Sequence, residues 1–153
     1  MNSKFHVIIP ARMSSTRLPG KMLADVCGLP LIIRVAKQAQ KSQTISVTIA
    51  TDDEKIFDVC KEHNLNVVMT SKNHQSGTDR LAEAVKILNL ANDEIIVNVQ
   101  GDEPLIEPKL INQLANFIAV KNTPIATVAH SIHELNDIFN PNIVKTVLDN
   151  DDT

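Results

Sequence analysis

The 153-residue sequence has no tryptophan, no tyrosine and only four phenylalanines. It therefore lacks the aromatic platforms on which single-stranded nucleic acids stack. The charge balance agrees: 15 basic against 18 acidic side chains give a formal −3, so the surface is not built to neutralise a long phosphate backbone. The two cysteines, Cys27 and Cys60, have neither the paired spacing of a zinc ribbon nor that of a disulfide framework, which fits a reducing compartment. Nowhere do about 18 apolar residues follow one another, and no apolar run of signal-peptide length precedes the first strand. The expectation is a cytoplasmic protein with no membrane and no nucleic-acid partner. Glycine is scarce, and none of the four stands in a Walker A or a GxGxxG arrangement, which disfavours a dinucleotide-dependent oxidoreductase.

What is present reads as an ordinary globular chain, 43% hydrophobic and 22% charged. Its length fits a single domain over residues 1–153, long enough to bury roughly 70% of its unfolded surface. Val7, Ile8 and Ile9 predict a buried strand that Pro10 ends by removing a donor. Pro30 at a first helical position opens a helix with Ile32, Val35, Ala36 and Ala39 on one face. After a strand over Val47 to Ala50, Thr51 and Glu54 have capping-box spacing, and Ile56, Val59, Cys60 and His63 continue the helical period.

Val67 to Met69 predicts a third strand, and Ser76 with Asp79 the cap of a helix carrying Leu81, Ala84, Val85 and Leu88. The nearly continuous apolar run Ile95 to Val99 predicts a central parallel strand covered on both faces. Pro108 then starts a helix with Leu110, Leu114 and Phe117 inward, followed by strands over Ile125–Ile132 and Ile143–Leu148. The residues from Asp149 have turn composition with no second arm after them, so the chain is read as lacking a C-terminal part. Alternating strands and helices give an α/β fold with a mainly parallel sheet. Right-handed crossovers bring the strand C-termini to one edge, where such sheets bind ligands.

Three stretches fall on that edge. Arg12, Arg17 and Lys21 place three cations within ten residues, with hydroxyls from Ser14, Ser15 and Thr16 between them. This is either a triphosphate cradle, using Arg12, Lys21 and loop amides, or a solvated basic turn. Asp102, directly after the buried strand, is placed to hold Mg²⁺ together with phosphate oxygens, or else is a turn aspartate. Gln100, Ser76 and Arg80 offer directional groups for a base edge or a phosphate, Arg80 alternatively a surface ion pair with Asp79 or Glu83. His74 is read as capping its loop, Asp52 and Asp53 as helix-start residues, and Cys60 with His63 as core packing rather than a metal pair.

Ile8-Ile9-Pro10-Ala11-Arg12 continuing to Lys21, His74-Gln75-Ser76-Gly77-Thr78-Asp79-Arg80-Leu81-Ala82-Glu83, and Asn98-Val99-Gln100-Gly101-Asp102-Glu103-Pro104 together resemble the 3-deoxy-manno-octulosonate (Kdo) cytidylyltransferases. The similarity runs to Leu148 and corresponds to the N-terminal part of a family member. The resemblance implies a Rossmann-like nucleotidyltransferase (nucleotide-diphospho-sugar transferase) fold of three α/β/α layers. It also implies transfer of CMP from CTP to Kdo with Mg²⁺, for lipopolysaccharide assembly, by an enzyme that is a homodimer at full length.

By the same resemblance, CTP is bound by Pro10, Ala11, Arg12, Ser14, Ser15, Lys21, Ser76, Arg80 and Gln100. Arg12 and Lys21 act on the reacting phosphates and Asp102 binds the metal. Most of the Kdo pocket, a second metal carboxylate and the dimer contacts are expected beyond Thr153. The competing readings are a non-catalytic CTP-binding fragment and a cytidylyltransferase for another acidic sugar.

Overall fold

The computed structural model describes residues 4–13, 18–74 and 76–147. The chain opens with β1 (Phe5–Ala11), a 3₁₀ turn (Lys21–Leu23) and a two-stranded hairpin, β2 (Asp25–Val26) and β3 (Leu29–Pro30). Then come α1 (Leu31–Ala39), β4 (Ser46–Thr51), α2 (Glu54–Glu62), β5 (Asn66–Met69), α3 (Gly77–Ile87) and β6 (Ile95–Asn98). Two helices follow, α4 (Pro108–Lys121) and the short α5 (Leu135–Phe139). The four long strands form one parallel sheet in the order β5-β4-β1-β6.

Side chains along β1 alternate between two cores. Phe5, Val7, Ile9 and Ala11 pack with residues of α1, with Ile56 and Cys60 of α2 and with Ile111 and Ala115 of α4. Ile8 turns the other way, with Ala50, onto Ala84, Leu81 and Val85 of α3. One sheet face is thus covered by α1, α2 and α4 and the other by α3, an α/β/α sandwich. Val7, Ile8 and Ile9 are all 0% exposed, and each such burial stabilises by about 1.5–3 kcal/mol. His6 is the polar exception on β1: its ring bonds Ser46 and Glu94, tying the starts of three strands together.

Several sequence expectations shift. Pro10 lies inside β1, opposite Ala50, rather than ending it. Ile8 O accepts from Val99 N, so Pro10, two residues on, faces the same side, where β6 has already ended its pairing and no donor is required. Pro30 is the N-cap of α1, not its first residue. Asp53, not Thr51, caps α2, its Oδ1 accepting from Lys55 N and Ile56 N. Thr51 instead ends β4.

The strand β6 is not central: among the described residues it pairs with β1 alone. The buried stripe of α4 is Ile111 and Ala115, and Phe117 is half exposed. Neither 125–132 nor 143–147 forms a strand. Ile125 and Val144 are 80% and 95% exposed, so alternation alone did not supply a partner ladder. Residues 125–130 border a groove of about 790 Å³ beside β6 and α4. Leu148, the end of that second expected strand, lies outside the described residues.

The connections from β1 to β4 and β5 progress across the sheet in one direction, and β6 returns to the other side of β1. The strand order therefore reverses between β1 and β6, the position at which open α/β sheets bind ligands.

Candidate active site

A cleft of about 510 Å³ opens at that reversal. Pro10 and Ala11 at the end of β1, and Gln100, Gly101 and Asp102 after β6, line it. Gly101 is required for the close approach of the two strand ends. A Cβ there would lie 2.9 Å from the Pro10 carbonyl oxygen and 2.9 Å from the Met22 sulfur, too near for any other residue without displacement.

The cationic side comes from Arg12, exposed just beyond β1, and Lys21 in the 3₁₀ turn. Gly20, with φ of 73°, makes the left-handed step into that turn. Lys21 Nζ donates to Asp102 Oδ2 at 2.6 Å, and the two side chains are 34% and 45% exposed. Ser14 and Ser15 lie outside the described residues.

Ser76, Gly77, His74 and Arg80 line the cleft from the β5–α3 segment. The capping box predicted from the sequence is present: Ser76 Oγ accepts from Asp79 N and donates to Asp79 Oδ2, while Ser76 N donates to the same carboxylate. The α3 N-terminus, with its partial positive charge, therefore meets the cleft. Arg80 is only 2% exposed. Its guanidinium donates to Thr70 Oγ1 at 2.5 Å and to Asp52 Oδ2 at 2.6 Å. This replaces the expected surface pair with Asp79 or Glu83, and it takes Asp52 away from the start of α2. Thr70 passes the bond on by donating to Thr51 O.

Eight of the sequence-predicted site residues are thus gathered around one cleft: Pro10, Ala11, Arg12, Lys21, Ser76, Arg80, Gln100 and Asp102. Leu18, Met22 and Gly101 also line it without being among the expected ligands, because their signal is proximity rather than chemistry, and His74, read only as a loop cap, and Gly77 complete the lining. Glu103, next to Asp102, borders the groove beside β6 and α4 instead; burial first, and then the charge of Asp102, raises its carboxyl above the usual range. Cys60 behaves as core, its thiol pushed up to about 11 by burial. Among the described residues no group of three His, Cys, Asp or Glu side chains gathers as a metal cage. A lone carboxylate beside a cationic cleft suits Mg²⁺, which is ordinarily held by one or two carboxylates together with substrate phosphates.

The cytidylyltransferase family model matches residues 6–153. The chain belongs to the cytidylyltransferase family. It is similar to the 3-deoxy-manno-octulosonate cytidylyltransferase of Neisseria meningitidis serogroup A / serotype 4A, at 51% identity over 147 residues, 96% of this chain and 58% of the relative. The enzyme of that name from Herminiimonas arsenicoxydans is 54% identical over 145 residues, 95% of this chain and 58% of the relative. The chain thus spans 58% of the length of these curated relatives.

Among solved structures, a CMP:2-keto-3-deoxy-manno-octonic acid synthetase complexed with CTP aligns with a TM-score of 0.72 at 35% identity, covering 78% of this chain and 48% of that one. A cytidylyltransferase from Leptospira borgpetersenii aligns with a TM-score of 0.63 at 25% identity, over 78% of this chain and 50% of its own. The cytidylyltransferase chain therefore has the Rossmann-like nucleotidyltransferase fold.

Proposed function

We propose that this chain forms the nucleotide-binding part of a 3-deoxy-manno-octulosonate cytidylyltransferase, which joins CMP from CTP to Kdo and releases pyrophosphate. The observation that carries this reading is the convergence of Arg12, Lys21, Gln100 and Asp102 on one cleft at the strand-order reversal, with the α3 N-terminus beside them. Support for the sugar comes from the names of relatives that are 51% and 54% identical.

In the proposed reaction the anomeric hydroxyl of Kdo gives up its proton to water and attacks the α-phosphorus of CTP, the bond from that phosphorus to the bridging oxygen breaks in line, and pyrophosphate leaves with that oxygen. Arg12 and Lys21 hold the triphosphate and stabilise charge as it builds on the equatorial and leaving oxygens. Gln100, Ser76 and Arg80 belong to the cytidine side, with the walls at Pro10 and Ala11 excluding water beneath it. Ser14 and Ser15 join the phosphate contacts in this reading. Asp102 holds Mg²⁺, which when bound neutralises phosphate charge. The full-length enzyme is read as a cytoplasmic homodimer with no membrane or nucleic-acid partner. No helix among the described residues is long and apolar enough to cross a membrane.

Titration calorimetry and a pyrophosphate-release assay test the reading. The expected result is Mg²⁺-dependent CTP binding by this chain, preferred over UTP, with little Kdo-dependent turnover. Absence of CTP binding overturns the nucleotide site, and robust turnover overturns the restriction of this chain to nucleotide binding. The same assay on the full-length enzyme, with Kdo and a sialic acid side by side, decides the sugar.

A further inference from the structure

Glu83 does not line the cleft, yet it is bonded to the segment that does. From α3 its Oε2 accepts Ser71 N at 2.8 Å and His74 Nε2 at 2.5 Å. Ser71 follows β5, and His74 borders the cleft just before Ser76. One carboxylate oxygen therefore ties together Ser71 and His74, the two ends of residues 71–74 after β5.

We propose that Glu83 is a positioning residue for the nucleoside side of the cleft, holding His74 and the backbone around it in place for the base and ribose. The inference rests on the CTP reading above. The flanks of this stretch are fixed separately, by Arg80 on Thr70 and Asp52 and by the Ser76–Asp79 capping box. Between them, among the described residues, Asn73 N donates to Ser71 Oγ, a tie that stays within the segment. Ordering such a stretch costs conformational entropy, and a charged acceptor taking two N–H groups offsets that cost more strongly than a neutral one. An ionised carboxylate accepts only, so His74 Nε2 must carry the proton and the ring is held in one orientation. The cations Arg12 and Lys21 arrive from the chain following β1, so the triphosphate belongs with them and the α3 side falls to the nucleoside.

The test uses titration calorimetry on the 153-residue chain with two probes, CTP and inorganic tripolyphosphate, each with Mg²⁺. Glu83→Ala should weaken CTP about tenfold while leaving tripolyphosphate unchanged. Glu83→Gln, whose amide oxygen still accepts, should recover part of the loss. Adding His74→Ala to Glu83→Ala should weaken CTP no further, because the two side chains act as one unit. Equal CTP binding by Glu83→Ala and the parent overturns the positioning role, as does equal weakening of both probes, the mark of a general fold effect. If the parent chain binds neither probe, the CTP reading itself falls and the positioning role with it.

Discussion

Lys21 and Asp102, 81 residues apart in sequence, meet at 2.6 Å across the mouth of the cleft. The pair joins the loop after β1 to the turn after β6, the two elements between which the strand order reverses. Both side chains are more than a third exposed, so the bond contributes only about 0–1 kcal/mol to folding. Its chemistry is of more consequence than its strength. In the proposed CTP complex the triphosphate would offer Lys21 an anion and Mg²⁺ would take Asp102, so the pair could separate on binding with little loss.

Asp102→Asn separates these roles. The variant should melt within about 1 kcal/mol of the parent, because an exposed pair is lost. Its CTP affinity in Mg²⁺ should fall at least about tenfold, whereas its affinity without Mg²⁺ should change little. Titrations with and without the metal check this, and an unchanged metal dependence would remove Asp102 from the site.

The Arg80–Asp52 pair is the opposite case. Its side chains are 3% and 15% exposed, so removing one partner strands a charge away from water. Asp52→Ala should cost about 3–5 kcal/mol of stability, measurable by urea denaturation. A cost below about 1 kcal/mol would mean that water reaches the guanidinium and that the pair resembles a surface contact.

The placing of the cleft lining was legible in the sequence. Arg12, Lys21, Gln100 and Asp102 could be expected on one edge because a parallel sheet brings the segments that follow its strands together there. Arg80 could be placed at the cleft but not in its surroundings: pairing with Asp52 depends on β4 and β5 ending side by side, which no local pattern encodes. Residues 125–132 failed for a related reason. Alternation of apolar side chains shows that a segment can occupy a half-buried surface, but a strand also needs a neighbour with free backbone groups in register. Pro10 failed in the other direction, since a proline ends a ladder only when its missing N–H faces a paired neighbour.

Gly101 can be tested by adding one carbon. Gly101→Ala places a methyl 2.9 Å from the Pro10 carbonyl oxygen, which belongs to the fully packed β1 and cannot give way as the Met22 side chain can. A loss of about 1–3 kcal/mol in stability is expected, together with weaker CTP binding as the strand ends part. A variant with the parent's melting temperature and affinity would show that the turn after β6 relaxes freely.

The two thiols should differ in reactivity. Cys27 is exposed at the β2–β3 hairpin, whereas Cys60 is buried, with its thiol pushed up to about 11. The thiolate is the reactive form, so an aromatic disulfide reagent near neutral pH should titrate one thiol in the folded protein and two in urea. Two fast thiols in the folded state would mean that α2 opens readily.

Acid should unfold the protein through specific carboxylates. The carboxyl of Glu94 lies below its ordinary 4.5, chiefly because it accepts Ala91 N and then because of the His6 hydrogen bond. Glu83 is lowered likewise, by Ser71 N first and His74 second. A carboxyl depressed in the folded state contributes stability that is complete above its unfolded value and is lost as pH falls through the folded one. The contributions of Glu94 and Glu83 should therefore be complete above about pH 5 and be lost below it, and Glu94→Gln should lower the melting temperature above that pH and flatten the acid fall. Glu103 has the reverse sign. Burial raises it, so the folded state holds its proton longer than the unfolded chain, and stability declines as pH rises through that interval. Glu103→Gln should accordingly raise the melting temperature at neutral pH and leave it unchanged in acid. Parallel acid limbs for the parent and Glu94→Gln would show that the His6–Glu94 contact does not couple to folding.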